Sequence, residues 1–232
     1  MFVYLPGPMS TTDSDRGDKK SAALSRSPVA GSPSPGVPLR TVLLWALCVG
    51  ASFIALAVYS KTPGPTGSPP IDAESDAGSP SAWRSSAWRI VMAIHPQCSC
   101  TGASLVELRR LLTRYDDRLT CELYVYRPSD KSADWSDSAI VRTARRTPGV
   151  TIIDDLDGAG ARRYGIATSG GVVLYDSNGV PHYHGGVTGS RGHEGANAGS
   201  HAVVSVLDGA DESPSSRPTY GCSLFSTSGD EA

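Results

Sequence analysis

The stretch IVMAIHPQCSC at positions 90–100 constrains this chain more than any other. Five apolar residues, three of them β-branched, stop abruptly at His95-Pro96. Cys98 and Cys100 follow with one residue between them, and then Leu105, Leu108, Leu112 and Tyr115 recur at helical spacing. A buried strand, a cysteine turn and a helix in that order set a thiol at the C-terminal edge of a sheet, beside the positive end of a helix dipole. Such a position favours thiolate over thiol, and the thiolate is both nucleophile and metal ligand.

Around this unit the chain is strongly biased. Residues 1–40 are rich in Ser, Pro, Gly and Asp and bury too little apolar surface to fold, so they are expected to be disordered. Positions 41–59 (TVLLWALCVGASFIALAVY) carry no charge and lie between Arg40 and Lys61. That length suits one transmembrane helix. A signal peptide fits poorly, because the run starts deep in the chain and Tyr59-Ser60-Lys61 is not a small-x-small cleavage site. The basic residues before it outnumber those just after. The expectation is therefore a single-pass cytoplasmic membrane protein with its N-terminus inside and its C-terminal domain extracytoplasmic. Residues 60–82 read as a solvated Pro/Gly/Ser linker that holds the domain off the membrane. A net charge of −2 without a basic cluster in the folded part argues against nucleic-acid binding.

One domain, 83–208, remains, with a polar tail at 209–232. Its expected elements are a strand at 89–94, a helix from the capping-box pattern Ser104-x-x-Glu107 to about Tyr115, and a strand at 119–126. A helix at 136–146 and a strand at 150–153 follow. Asp154, Asp155 and Asp157 read as a solvated turn. Strands at 171–176 and 180–186 are joined by Ser177-Asn178-Gly179, a hairpin signal, and a last helix spans 197–207. Parallel strands with crossover helices come first and an antiparallel pair last, an α/β mixed sheet packed with helices.

A cysteine turn after the first buried strand of such a domain resembles the thioredoxin-like fold. The closer resemblance is to membrane-anchored, thioredoxin-like proteins of the RedB type. It rests on HPQCSC (95–100), TSGGVVLY (168–175), GGVTGSRGH (185–193) and YGCSL (220–224). It implies a three-layer thioredoxin-like domain and a thiol–disulfide redox role toward a protein dithiol or disulfide partner. Two features depart from ordinary thioredoxins. One residue separates the cysteines instead of two, and Thr168-Ser169 stands where those proteins place a cis-proline.

Cys98 and Cys100 are the candidate redox pair. A disulfide across so tight a loop would be strained and therefore readily reduced, while as a static clip it would restrain little chain entropy. His95 would lower the thiol pKa if protonated, or else simply bond to backbone at the strand end. Arg191 and His193, in a glycine-rich loop, are supporting candidates for stabilising thiolates or contacting a partner; a flexible connection is the plainer reading. Cys121, among Leu123 and Val125, reads as a buried structural thiol. His182 and His184 read as solvated edge-strand residues.

No cofactor is required. The alternative on the same fold is copper held by Cys98, Cys100, Cys222 and His193, by analogy with anchored thioredoxin-like copper proteins. A non-catalytic binding module is a further alternative. Cys222 lies between Tyr220 and Leu224-Phe225 in the polar tail, and the segment 219–225 is expected to dock on the domain. If it docks at the cysteine edge, Cys222 becomes a third redox thiol or a metal ligand. Otherwise it is a lone thiol in a tether.

Overall fold

The structure is a computed structural model that describes residues 37–67, 87–210 and 216–225. Two units divide the chain, one ending at Trp45 and the other starting at Ala46. Helix α1, Leu39–Lys61, has 23 residues and a mean hydropathy of 2.3 over its most apolar window. None of its residues is buried in protein, and it is long and apolar enough to cross a membrane. It extends two residues beyond the expected span at each end.

The domain is built on one six-stranded sheet in the order β3-β2-β1-β4-β5-β6. Strands β1 (Trp88–Ile94), β2 (Leu119–Arg127) and β3 (Val150–Leu156) run parallel. Strand β4 (Gly171–Asp176) is antiparallel to β1, and β5 (Pro181–Gly186) is antiparallel to β4. A two-residue β6 (Ser216–Arg217) pairs parallel to β5. The helices are α2 (Thr101–Arg114), α3 (Ala139–Arg145), α4 (Ala159–Arg163) and α5 (Ala198–Leu207), with a 3₁₀ turn at Ala133–Ser136.

Strand β1 lies in the middle, and its pleat feeds two cores. Ile90, Met92 and Ile94 pack with Leu108, Leu111 and Leu112 of α2 and with Val203 of α5. Val91 and Ala93 face the other way, toward Ala161, Tyr164, Tyr175 and Leu224. Burial on both faces explains why β1 is apolar without alternation.

Several local expectations are corrected. Helix α2 starts at Thr101, before the capping-box serine. The side chain of Ser104 is buried opposite Gly170, where a β-carbon would stand 2.5 Å from its Oγ. Glu107 turns to Arg110 and to the amide of Gly195 (2.8 Å), and so anchors the glycine-rich loop to α2. The aspartates after β3 are not all solvated. Asp155 is buried and accepts from the amides of Gly160 (2.6 Å) and Ala161 (3.0 Å), while Asp154 pairs with Arg127. The start of the linker is docked, not free in solvent. The Gly64 amide donates to Thr219 O (2.8 Å), and Thr168 Oγ1 donates to Pro65 O (2.8 Å). The rest of the linker, 68–82, and residues 1–36 lie outside the described residues.

Candidate redox site

The site forms where three chain segments meet at the C-terminal end of β1. The first is the turn after the strand. The Cys98 amide donates to His95 O (3.1 Å), and Cys98 O accepts from the Thr101 amide (3.1 Å), which starts α2. Cys98 therefore sits at the mouth of the helix, and Cys100 is its N-cap residue, half-buried.

The second segment is 167–170. The Gly170 amide donates to Ala93 O (2.9 Å), and the His95 amide donates to Ser169 Oγ (2.8 Å). Ser169 Oγ also pairs with Thr101 Oγ1 at 2.7 Å. Hydroxyls thus stitch the end of β1, the first helical residue and the 168–170 turn together. All described peptide bonds here are trans.

The third segment is the tail. It lies antiparallel along 167–169, with Thr168 and Ser223 bridged. The Ser169 amide donates to Cys222 O and the Leu224 amide donates to Ala167 O, each at 2.9 Å. Leu224 fills the second core at 1% exposure, beside the partly buried Phe225. At Gly221 a β-carbon would stand 2.0 Å from Ser169 O, so the approach admits no side chain. Arg191 donates to Gly221 O and to Thr62 O (3.2 Å), holding the tail from the other side.

This arrangement puts Cys222 Sγ 2.8 Å from Cys98 Sγ. A disulfide is about 2.05 Å long, so the two sulfurs touch without being bonded. Their acidities diverge. Burial pushes the Cys98 thiol up, but hydrogen bonds from Cys222, the Thr101 hydroxyl and the Cys100 backbone outweigh it, leaving Cys98 below the ordinary thiol value. Cys222 is pushed up to about 12, by burial first and then by its bond to Cys98 and the charges of Cys98 and Cys100; Arg191 opposes this. Cys98 is thus the more acidic thiol of the pair and Cys222 the less acidic.

The remaining candidates are placed as follows. His95 bonds to backbone at the strand end. Its Nδ1 accepts from the Gln97 amide (3.2 Å), its ring stacks on Tyr126 and meets Trp135 edge-on, and burial disfavours its charged form. His193 is exposed and donates its amide to Ser190 O (3.3 Å). Among the described residues, no three His, Cys, Asp or Glu side chains converge as metal ligands would. Cys121 is buried on β2, and burial pushes its thiol up. His182 and His184 do not act as a pair. His182 Nε2 lies 3.3 Å from Asp176 Oδ2 across the hairpin, while His184 turns to Gly165 O (3.2 Å). Sequence reading passed over Thr101 as a site residue, although its place right after the cysteine turn was a signal. Ser169 carried a signal too, standing in the usual proline position.

No protein-family model and no curated protein matches the chain. Among solved structures, a hypothetical protein of Sinorhizobium meliloti aligns at TM-score 0.52 and 20% identity, over 72% of this chain and 96% of that one. Lower-scoring alignments include a secreted Mycobacterium tuberculosis disulfide oxidoreductase homologous to E. coli DsbE (TM-score 0.36, 16% identity, 53% of this chain and 81% of that one). Another is an exposed lipoprotein thioredoxin of Streptococcus pneumoniae (TM-score 0.39, 15% identity, 55% and 87%). Likeness at these levels speaks to fold and not to chemistry. With β1 flanked by parallel β2 and antiparallel β4, a cysteine turn after β1 and a closing hairpin, the domain is thioredoxin-like.

Proposed function

We propose that this chain is a membrane-anchored thiol–disulfide exchange protein of the RedB type, with its domain on the extracytoplasmic side. The observation that carries the proposal is the contact between Cys98 and Cys222, with a lowered pKa on one and a raised pKa on the other. We assign Cys98 as the attacking thiolate and Cys222 as the resolving thiol, with Cys100 beside them at the helix mouth.

Cys98 attacks one sulfur of a partner disulfide. The S–S bond breaks, the partner's second sulfur leaves as a thiolate, and a mixed disulfide forms. Cys222 then attacks the Cys98 sulfur, its proton passing to a partner thiolate, and the partner's first sulfur is released. Two electrons have passed to the partner, and Cys98–Cys222 is the disulfide left behind. Run backward with a partner dithiol, the same steps oxidise the partner.

Mass-spectrometric mapping of the purified full chain after equilibration in a glutathione redox buffer tests this. The expected product is a reducible Cys98–Cys222 link, retained in Cys100→Ser and absent in Cys222→Ser. A link only between Cys98 and Cys100, or no reversible link at all, overturns the assignment. Stoichiometric copper lost on Cys98→Ser would support the thiolate–histidine copper reading instead. A reporter fused after Ala232 should behave as extracytoplasmic; cytoplasmic activity overturns the topology.

A further inference from the structure

Cys98 is only 3% exposed, and the sulfur of Cys222 lies against its own. A nucleophile cannot meet a partner's disulfide while another sulfur occupies its approach. The tail is held there largely by main chain, through the two 2.9 Å bonds from the Ser169 and Leu224 amides and the Thr168–Ser223 bridge. Such bonds read strand direction and spacing, while side-chain pockets supply specificity. Here the side-chain demands are three. Position 221 admits no β-carbon, position 222 presents sulfur to Cys98, and position 224 buries a large apolar group in the second core.

Resting on the exchange reading above, we infer that the docked tail is an internal stand-in for the partner. The partner segment is an extended strand of the pattern glycine, cysteine, any residue, large apolar residue. It pairs antiparallel with 167–169 in place of residues 221–224. The tail leaves with Cys222 as a thiol, and the partner strand enters with its cysteine in a disulfide. Cys98 thiolate attacks that cysteine's sulfur and expels the partner's other sulfur as a thiolate. When the tail returns, Cys222 attacks Cys98 and its proton passes to the departing partner thiolate, so the partner is released reduced and loses its docking edge in the same event. A tethered segment competes at an effective concentration on the order of millimolar, so free peptides meet an occupied edge unless the tail is loosened.

The test uses the full chain in detergent micelles, carrying Cys48→Ser, Cys100→Ser and Cys222→Ser, with and without Leu224→Asp. Three probes release a coloured thiolate when Cys98 attacks. They are a hexapeptide of residues 220–225 (YGCSLF) with thionitrobenzoate on its cysteine, the same peptide as YGCSDF, and the small disulfide of thionitrobenzoate itself. With Leu224→Asp, YGCSLF should react about tenfold faster than on the docked-tail chain and about tenfold faster than YGCSDF. Equal rates for the two peptides on the loosened chain overturn the inference. Failure of the chain that keeps both Cys98 and Cys222 to form a reversible link in the glutathione buffer sinks the exchange reading itself, a separate result.

If Leu224→Asp does not fold, hydrogen exchange decides on the docked-tail chain after YGCSLF is disulfide-linked to Cys98. The Leu224 amide should lose protection while the Ser169 amide keeps it, handed to the peptide. Protection retained at both overturns the proposal.

Discussion

Cys98 and Cys121 are both closed to solvent, 3% and 1% exposed, yet their pKa values shift in opposite directions. Cys121 sits mid-strand on β2 among Ile90, Leu123 and other apolar side chains, so burial dominates and favours the thiol. Cys98 lies four residues past the end of the same sheet's central strand, at a helix mouth, where Cys222, Thr101 and the Cys100 backbone donate to its sulfur. Burial alone disfavours a thiolate; burial with donors aimed at the sulfur makes one. Cys121 lies deeper in the fold, and only Cys98 has donors at its sulfur; both differences separate the two thiols.

The largest expected effect is on alkylation rate. In the folded chain near pH 7, iodoacetamide should modify Cys98 on the order of a hundredfold faster than Cys121, because only the thiolate reacts and its population falls tenfold per unit. Equal rates, followed by peptide mapping, would break the comparison.

Next, removing the donors should make Cys98 behave more like Cys121. Cys222→Ala should raise the midpoint of the Cys98 alkylation profile toward the ordinary thiol value. Thr101→Val should raise it less, since its hydroxyl contributes less than Cys222 does. A larger effect from Thr101 would mean that the donors have been ranked wrongly.

The smallest effect is on stability at alkaline pH. Cys222 is raised from 9.0 to about 12, so its folded state holds a proton that the unfolded chain has already lost. Its contribution is fully present below about pH 9 and is lost as pH rises toward about 12. Denaturation of the reduced chain across that window should show a decline that Cys222→Ser makes shallower. An unchanged slope in the variant would place the proton elsewhere, with Tyr115, also raised to about 12, the next group to test.

Much of the domain was legible because it is local. Strand β1 announces itself by unbroken apolar residues, and the Asn178-Gly179 turn marks the hairpin. Elements of two to five residues, β6 and α4, were missed, since they are too short for any periodicity to register. The start of α2 was misplaced because Ser104 and Glu107 satisfy a local capping rule while tertiary partners claim both side chains. His182 lacked a visible carboxylate until β4 and β5 paired and brought Asp176 across. The meeting of Cys98 and Cys222 depends on contacts across 124 positions; only the apolar cluster around Cys222 hinted that the tail had somewhere to go.

That separation carries a consequence for the topology of the chain. A bond between neighbours such as Cys98 and Cys100 closes a trivial loop. A bond between Cys98 and Cys222 turns nearly the whole domain into a covalent ring. By the loop-entropy relation, closing a ring of that size removes about 5 kcal/mol of freedom from the unfolded chain. Folding and oxidation then reinforce each other: whatever holds the sheet together also holds the ring shut, and reductant must open the ring before the C-terminus can come free.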